Sequence, residues 1–424
     1  MNKRFDIKKN ATDDLVIPKK WLEKTNIGHF QEYMLVEEGD SILLTPSIHV
    51  LRKLYIEPTS VCNLNCVTCI RKNWQESNGY LSQPTFNRLV KQMKALPSLE
   101  SVMFGGFGEP MSHPDILTMV KAIHELGIKT GMTTNGTQLT HDKIMGLFEA
   151  GLDDLWVSID SVRPSKFNEI REGADFDQVY DHLKHFKTIN KKSNHKIHLG
   201  IAFVVTKDNV EDLSRLRHFA GSVWAEKISI SNAIPYDQEM AEKLLYNKRL
   251  FNAWAHQEDR DNLIGFKEVV IPEVSLPKMD YNDLTKEPLH ALHSSMMKIR
   301  LLNEPYKEHK DTCRFIHESN CFIRWDGMVS PCMGLLHDYT TYLNSHKREI
   351  KAHYFGDIQE ESLQDIWQSK VYHEFREKVY DFDFSPCVHC GGCEEMDDNN
   401  KDCLDNIFPT CGGCLWAQGV IQCP

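Results

Sequence analysis

The sequence predicts an α/β fold that is followed by a small cysteine-rich α+β module. Two patterns support this prediction. From about residue 51, short apolar segments of strand length alternate with amphipathic segments of helical spacing, which is typical of a parallel sheet covered by helices. Ten of the 13 cysteines lie from Cys313 onward, which sets the end of the chain apart from the rest.

The chain has 424 residues, enough for two or three domains, and its 41% hydrophobic and 10% aromatic residues can form sizeable cores. Its net charge of −11 argues against nucleic-acid binding, because a surface that follows phosphates needs clustered Lys and Arg. No apolar stretch approaches the roughly 20 residues of a membrane span, and the N-terminal segment lacks the apolar region of a secretory signal. We therefore expect a cytoplasmic protein that binds no membrane.

The chain divides into four predicted regions. Residues 1–50 form an N-terminal extension with a hairpin centred on 38–40, and residues 51–240 form the α/β core. Residues 241–310 contain several prolines and are predicted to bridge to a cysteine-rich domain at 311–424. The predicted core strands lie at 53–56, 101–104, 128–132, 154–159, 198–205 and 227–230. Six β-then-α units imply a parallel sheet, but periodicity does not distinguish an open sheet from a curved barrel.

Cys62, Cys66 and Cys69 form a C-x-x-x-C-x-x-C triplet shortly after the first core strand. Three thiolates in so short a loop can bind three irons of a four-iron four-sulfur (4Fe-4S) cluster and leave the fourth iron open to another ligand. A cluster that only transfers electrons has four protein thiolates, so an open iron indicates chemistry. A structural zinc site and a disulfide framework are the alternatives.

Three further motifs follow successive core strands, at the edge of a parallel sheet where loops converge into a site. The second strand is followed by a glycine-rich segment that contains Gly106, Gly108, Glu109 and Pro110. The third strand ends in a Thr-Asn-Gly segment with Thr134 and Asn135, and the fourth ends in a Ser-Ile-Asp segment with Ser158 and Asp160.

Taken in this order, the triplet and the three motifs resemble the radical S-adenosylmethionine (SAM) superfamily. The resemblance implies a partial (β/α)6 barrel with its site at the C-terminal ends of the strands. It also implies that the open iron binds the methionine part of SAM and that the reduced cluster donates one electron. A 5'-deoxyadenosyl radical then takes a hydrogen atom from the substrate. Thr68 departs from the family, which often has an aromatic residue before the third cysteine.

The same resemblance implies which residues contact SAM. The backbone and the acid of the glycine-rich segment would hold the methionine amino group, although Phe107 interrupts the family pattern. Arg171 would pair with the methionine carboxylate, and a solvated helix arginine is the alternative. The implied SAM-binding residues are Gly106, Gly108, Glu109, Pro110, Thr134, Asn135, Ser158, Asp160, Arg171 and Asn232.

Asp326-Gly327 in the cysteine-rich region predicts a hairpin with a two-residue type I′ turn. On a regular hairpin, Cys321 and Cys332 would face each other across the strands, with about 5 Å between their Cβ atoms. That distance would permit a disulfide, but a reducing compartment and the neighbouring cysteines favour a shared cluster.

Through Cys313, Gly327 and Cys332, this region resembles a SPASM domain, which commonly holds two auxiliary 4Fe-4S clusters. Two fully ligated clusters need eight thiolates, so one or two of the ten cysteines here are spare. The candidate ligands are Cys313, Cys321, Cys332, Cys387, Cys390, Cys393, Cys403, Cys411, Cys414 and Cys423. Two Cys-Gly-Gly-Cys pairs also suggest dithiol redox chemistry, and a zinc ribbon is a further alternative.

These features predict an oxygen-sensitive radical SAM/SPASM enzyme that modifies a peptide, a protein or a protein-bound cofactor. Residues 408–424 and 66–71, with Trp74, resemble the cofactor-modifying maturases of tungsten-containing aldehyde oxidoreductases. Such an oxidoreductase and a reductant such as ferredoxin or flavodoxin are the implied partners. One alternative is an enzyme that crosslinks or epimerises a ribosomally made peptide, and another is a non-enzymatic zinc-binding scaffold.

Overall fold

The computed structural model describes residues 16–25, 27–30, 32–38, 41–246, 272–294, 298–301, 312–343, 346–387 and 393–424. The strands of these residues are β1 (Tyr33–Glu38), β2 (Ser41–Pro46), β3 (Lys53–Ile56), β4 (Ser101–Phe104), β5 (Lys129–Thr134), β6 (Asp154–Ser158), β7 (His198–Val205), β8 (Lys227–Asn232), β9 (Glu273–Leu276), β10 (Lys298–Leu301), β11 (Asn320–Ile323), β12 (Met328–Ser330), β13 (Tyr339–Leu343), β14 (His346–Ile350) and β15 (Gly356–Asp357).

The α-helices of the described residues are α1 (Lys19–Leu22), α2 (Gln83–Met93), α3 (Ile116–His124), α4 (His141–Ala150), α5 (Pro164–Ile170), α6 (Phe176–Lys192), α7 (Leu213–Val223), α8 (Gln238–Glu242), α9 (Lys286–His293), α10 (Arg314–His317), α11 (Leu363–Gln368) and α12 (Lys370–Asp381). Short 3-10 helices lie at Ile70–Asn73, Pro110–Ser112, Val210–Asp212, Met333–Leu335 and Glu394–Met396. None of the described helices has the length and apolar character needed to cross a membrane.

Strands β3 to β8 lie side by side in chain order, and each pairs with the next in parallel. The connections between them carry helices α2 to α7, because parallel strands require a crossover connection. The six β/α units predicted from the apolar periodicity are therefore confirmed, and the strand ends differ from the prediction by two residues at most.

The central sheet is curved. Residues from six of its strands, among them Met103, Trp156 and Ser275, line one cavity of roughly 470 Å³ at the N-terminal end of the strands. Within the described residues the two edges of the sheet, β10 and β15, do not pair with each other. The curvature and the open edges confirm the partial barrel that the family resemblance implied.

Alternation along β6 shows how the sheet separates two apolar regions. Leu155 and Val157 are fully buried in the core between the sheet and the helices. Trp156 packs on the opposite side of the sheet with residues of the C-terminal region. Because successive side chains of a strand point to opposite faces, Ser158 lies on the same side as Trp156, inside the barrel.

Strands from outside the predicted core extend the same sheet. β9 and β10 come from the predicted bridging region and pair in parallel beyond β8. β11 comes from the cysteine-rich region and pairs in parallel with β3, where Cys321 lies opposite Leu54. The barrel and the cysteine-rich region are therefore joined by backbone hydrogen bonds within one sheet, and the division into four regions stays a prediction.

The N-terminal hairpin is confirmed by the antiparallel pairing of β1 and β2, in which Glu38 lies opposite Ser41. The two residues between them, Gly39 and Asp40, lie outside the described residues.

The hairpin of β11 and β12 differs from its prediction. Phe322 pairs with Ser330 and Ile323 pairs with Val329, which leaves a three-residue loop at 325–327. Gly327 has a positive φ of 97°, whereas a type I′ turn would need a positive φ at Asp326 as well. The pairing is therefore shifted by one residue, and such a shift moves a side chain to the other face of the strand. The prediction that Cys321 and Cys332 face each other was wrong.

Gly327→Ala tests this loop. At a φ of 97° a Cβ is strained, and it would lie 3.0 Å from Asp357 Oδ1, so we expect the free energy of unfolding to fall by about 1–2 kcal/mol. Gly221→Ala in α7 is the matched control, because no atom lies within 4 Å of its Cβ and alanine favours a helix interior. Denaturant unfolding followed by circular dichroism measures both variants. A Gly327→Ala variant as stable as the wild type would contradict this loop geometry.

Candidate functional site

The cysteine triplet lies in the loop after β3, at the C-terminal edge of the barrel sheet. Cys69 donates its N–H to the carbonyl of Cys66 at 3.2 Å and caps the 3-10 helix that follows. Burial raises the pKa of the Cys66 thiol to about 11, and the charges of Cys69 and Cys62 act on it in the same direction. The three thiols are therefore close neighbours at the mouth of the barrel.

Loops of neighbouring β/α units hold the triplet in place. Val67 donates its N–H to the carbonyl of Ile170 at 2.8 Å, at the end of α5. On the other side, Asn135 Nδ2 donates to Asn63 Oδ1 at 2.9 Å. The conformation of the cysteine loop thus depends on the ends of β5 and α5.

The glycine-rich loop after β4 lies directly against the segment that leads into the triplet. A Cβ on Gly108 would lie 2.0 Å from the carbonyl oxygen of Thr59, and one on Gly106 would lie 2.6 Å from Glu57 Cγ. Both positions therefore require glycine. Pro110 ends the loop by starting a 3-10 helix.

The buried carboxylate of Glu109 joins the loops after β4 and β5. Its Oε1 accepts hydrogen bonds from Thr134 Oγ1 at 2.7 Å and Met111 N at 2.9 Å, and its Oε2 accepts one from Asn135 N at 2.6 Å. Burial raises the pKa of Glu109, although these hydrogen bonds and Arg171 oppose the shift. Three of about four acceptor sites on the carboxylate are used by protein donors, so Glu109 positions the loops and has one site left for a ligand.

Arg171 is buried beside the triplet and is not the solvated arginine of the alternative prediction. Its Nη2 lies 2.9 Å from Asp160 Oδ2. Burial opposes the charge, but Asp160 and Cys66 outweigh that effect and raise the pKa of Arg171. Its Nε has no hydrogen-bond partner among the described residues. A buried guanidinium with an unused donor suits an anionic group of a ligand.

Ser158 and Asn232 have different surroundings. Ser158 is the half-buried last residue of β6 and lies on the barrel-interior side. Asn232 is the last residue of β8, and its Nδ2 donates to the carbonyls of Val420 at 2.9 Å and Lys278 at 3.0 Å. Asn232 therefore holds the C-terminal segment of the chain against the barrel.

Glu57 and His337 were not among the residues that the sequence predicted. Glu57 directly follows β3 and is 1% exposed, so its place at a strand end is the signal that could have identified it. His337 comes from the C-terminal region, and its Nε2 lies 2.9 Å from Glu57 Oε2. Nothing in the local sequence around His337 indicates this contact.

Four cysteines of the C-terminal region line one mostly apolar cavity. Cys313, Cys332, Cys411 and Cys414 all line it, together with Tyr339. Burial raises the pKa of Cys411, and the charges of the other three cysteines act in the same direction. Four thiols around one cavity suit one fully ligated cluster.

A second group contains Cys387, Cys393 and Cys403. Burial raises the pKa of Cys387, and the charges of Cys403 and Cys393 contribute to the shift. Cys390, which lies between the first two in sequence, is outside the described residues. The described residues thus bring three thiols together here, and a fully ligated cluster requires four.

Cys321 and Cys423 belong to neither group. Cys321 is fully buried in the core behind the sheet, where its Sγ donates to the carbonyl of Ser330 at 3.9 Å and Tyr372 and Arg376 lie nearby. Cys423 lines the cavity at the N-terminal end of the strands, close to Lys53 and on the opposite edge from the triplet. We infer that these two are the spare cysteines among the ten.

The Cys-Gly-Gly-Cys sequence at 411–414 has a packing explanation. A Cβ on Gly412 would lie 2.0 Å from the carbonyl oxygen of Ser385, and one on Gly413 would lie 2.1 Å from Arg348 Nη1. Arg348 is 2% exposed, and burial lowers its pKa, whereas the charges of Cys387 and Cys414 oppose that shift. The two glycines thus allow a buried cation to lie between the two cysteine groups.

The spacing of the sulfurs favours clusters over single metal ions. Among the described residues, no three cysteine sulfurs lie within 4.8 Å of one another, and none of these cysteines forms a disulfide. A tetrahedral zinc ion with Zn–S bonds of about 2.3 Å would bring its sulfurs to about 3.8 Å from each other. A four-iron cluster is several atoms across and keeps its ligands farther apart, so the described thiols are spaced too widely for one zinc ion, whereas a cluster would accept a wider spacing.

Two family models match the chain. Residues 56–220 match the radical SAM superfamily, and residues 313–394 match the iron-sulfur cluster-binding domain called SPASM. The chain therefore contains a radical SAM domain, which implies SAM and a 4Fe-4S cluster, and a SPASM domain, which implies auxiliary iron-sulfur clusters. This confirms the predicted fold and cofactors.

A relative aligns over nearly its whole length. The chain is 29% identical over 382 residues to the tungsten-containing aldehyde ferredoxin oxidoreductase cofactor-modifying protein of Pyrococcus furiosus, which covers 88% of this chain and 97% of the relative. The subfamily resemblance drawn from the sequence is thereby confirmed.

Solved structures share the fold. Streptococcus suis SuiB bound to SAM has a TM-score of 0.52 at 19% identity and covers 81% of this chain and 71% of SuiB. SuiB bound to its precursor peptide SuiA has a TM-score of 0.51 at 17% identity, with 81% and 70% covered. Native anSMEcpe with bound AdoMet has a TM-score of 0.52 at 17% identity, with 86% and 95% covered.

Cys66→Ala is expected to abolish the SAM-binding cluster and to retain the auxiliary clusters. The cluster loses one of its three thiolates, so iron should fall from about twelve to about eight atoms per chain. Iron analysis of anaerobically purified protein measures this change, and Cys62→Ala and Cys69→Ala should behave alike. Formation of 5'-deoxyadenosine at the wild-type rate in any of the three would contradict the assignment.

Cys414→Ala and Cys321→Ala should differ in their iron content. We expect Cys414→Ala to destabilise one auxiliary cluster, whereas Cys321→Ala and Cys423→Ala should keep about twelve irons. Iron analysis and electron paramagnetic resonance of the reduced proteins separate these outcomes. A loss of four irons in Cys321→Ala would show that the observed hairpin register does not exclude it as a ligand.

Glu109→Gln should weaken SAM binding by about tenfold and leave the iron content unchanged. In the glutamine variant an NH2 group replaces one carboxylate oxygen and faces a protein N–H. That N–H is then buried without an acceptor, which costs about 1–3 kcal/mol. Titration of the reconstituted protein with SAM measures the affinity. An unchanged dissociation constant would remove Glu109 from the site.

Proposed function

We propose that this radical SAM enzyme modifies a protein or a cofactor bound to a protein, and that its partner is a tungsten-containing aldehyde oxidoreductase. The observation that carries this proposal is the likeness to the Pyrococcus furiosus cofactor-modifying protein over 382 residues. That likeness spans both the barrel and the cysteine-rich domain. It therefore extends beyond the part of the chain that any radical SAM enzyme needs in order to cleave SAM.

In this proposal the triplet Cys62, Cys66 and Cys69 holds the SAM-binding cluster. When bound, the cluster supplies the electron that cleaves SAM to a 5'-deoxyadenosyl radical. Arg171 would donate a hydrogen bond from Nε to the carboxylate of SAM, and its ion pair with Asp160 would hold the guanidinium in place. The further residues proposed to surround SAM are Gly106, Gly108, Glu109, Pro110, Thr134, Asn135 and Ser158.

The auxiliary clusters are assigned to the two cysteine groups of the C-terminal domain. Cys313, Cys332, Cys411 and Cys414 would hold one, and Cys387, Cys390, Cys393 and Cys403 would hold the other. Arg348 lies between the two groups, where its charge favours the reduced, more negative state of both clusters. This arrangement suits the passage of electrons through the domain.

A macromolecular substrate agrees with two further observations. The fold is shared with SuiB, which has been solved with a precursor peptide. The net charge of −11 disfavours nucleic acid as the alternative large partner. We also infer that ferredoxin or flavodoxin supplies the electron and that the enzyme works in an anoxic, reducing cytoplasm, since the clusters need reduced thiols.

The proposed substrate is tested by incubating the reconstituted enzyme anaerobically with SAM, a reductant and a tungsten-containing aldehyde oxidoreductase from the same genome. We expect 5'-deoxyadenosine to form and the mass of the oxidoreductase or of its extracted cofactor to change. Cys66→Ala is the matched control, in which neither product should appear. Mass spectrometry of the protein and of the extracted cofactor measures both.

An unchanged oxidoreductase in a reaction that produces 5'-deoxyadenosine would contradict this substrate. A mass change in a small peptide encoded nearby, under the same conditions, would instead favour a peptide-modifying enzyme.

A further inference from the structure

A buried series of hydrogen bonds joins the C-terminal domain to the glycine-rich loop. His337 Nε2 lies 2.9 Å from Glu57 Oε2, and His337 Nδ1 lies 3.0 Å from Glu76 Oε2. The side chains of His337 and Glu57 are each 1% exposed. One imidazole from the C-terminal domain therefore bridges two carboxylates of the barrel, on either side of the cysteine triplet in sequence.

Both ends of this series are anchored. At the inner end, Glu57 Oε1 accepts the N–H of Phe107 at 3.1 Å, inside the glycine-rich loop. At the outer end, Glu76 accepts hydrogen bonds from Arg324 Nη1 and from Asp338 N, each at 3.1 Å. Glu57 thus links the C-terminal domain to the loop that we place against SAM.

Phe107 is the residue that interrupts the family pattern of this loop, and the structure gives it a role. Its ring packs edge-on against Trp74 at 5.3 Å and against His337 at 5.8 Å between ring centroids. Trp74 stacks on His337 at 4.1 Å. The aromatic contacts keep water from the His337–Glu57 contact, which strengthens it because the local dielectric constant is low.

The surroundings favour a doubly protonated His337. Each ring nitrogen faces a carboxylate oxygen, and an imidazole donates at both nitrogens only when it is charged. Burial opposes the charge, but Glu57 and Glu76 outweigh it and raise the pKa of His337 to about 9. The other charged or titratable groups around this pair are Arg324, Asp326, Asp338 and Tyr354, which surround the Glu76 end.

We propose that His337 is a positioning residue that holds the glycine-rich loop in its SAM-binding conformation through Glu57. The affinity for SAM then depends on the docked C-terminal domain, although that domain contributes no ligand to the SAM-binding cluster. This inference rests on the SAM site proposed above and is independent of the substrate that the enzyme modifies.

The first test is SAM binding by His337→Gln. Glutamine cannot carry the positive charge or bridge both carboxylates, so Glu57 is left buried without a counter-charge. We expect the dissociation constant for SAM to rise at least tenfold at pH 7.5, with iron content unchanged. His353→Gln is the matched control, because His353 is also in the C-terminal domain and packs on aromatic rings. An unchanged dissociation constant in His337→Gln overturns the proposal.

The second test is the pH dependence of SAM binding, which a merely structural residue would not alter. The pKa of His337 is raised above its usual 6.5, so its bridge is intact below that value and is lost as the pH rises through about 9. SAM affinity of the wild type should therefore fall more steeply between pH 8 and about 10 than that of His337→Gln. SAM and the other titratable groups are the same in both proteins, so a difference between the two pH profiles is due to His337. Parallel pH profiles overturn the proposal.

A double-mutant cycle tests whether Glu57 and His337 act on SAM binding through the same contact. Glu57→Gln should weaken SAM binding, and adding His337→Gln should cause little further loss, since both residues act through one contact. Independent, multiplying losses overturn the proposal. Two failures can be told apart. A normal SAM affinity in Glu109→Gln would remove the proposed SAM site itself. Weak SAM binding in Glu109→Gln together with normal SAM affinity in His337→Gln would remove only this inference.

Discussion

The buried carboxylate of Glu109 holds the candidate SAM site together. Its oxygens accept hydrogen bonds from Thr134 and Asn135 at the end of β5, and its own N–H donates to the carbonyl of Val61 next to the triplet. Burying a charge without hydrogen-bond partners costs free energy. The loops that follow β3, β4 and β5 are therefore stable only when they surround the Glu109 carboxylate. Asn135 in turn donates a hydrogen bond to Asn63 in the cysteine loop, so the conformation of that loop also depends on Glu109.

The barrel and the cysteine-rich domain form one continuous structure. β11 pairs with β3, the strand that leads into the triplet, and the same domain supplies His337 to the buried glutamate at the end of that strand. Backbone pairing and a buried ion pair therefore fix the C-terminal cysteines relative to the SAM-binding loop.

Backbone geometry separates the C-terminal cysteines that the structure describes. A three-residue loop ending in Gly327 shifts the β11–β12 pairing by one residue, which turns Cys321 into the core and leaves Cys332 at the cavity. The glycines at 412 and 413 are needed because the chain there passes close to a carbonyl and a buried guanidinium. If Cys321 and Cys423 are spare, as we propose, the sequence supplies eight cysteines for two clusters.

The sequence alone determined the six parallel units, the triplet and the strand-end motifs, because apolar periodicity and short spacings are local properties that a chain carries into its fold. It did not reveal that Glu109 is shared by three loops, that Arg171 is buried against Asp160, or that His337 reaches Glu57. These contacts join residues far apart in the chain, and only the curved sheet brings them together. The sorting of the cysteines likewise depended on a shift of one residue in strand register, which turn composition does not specify.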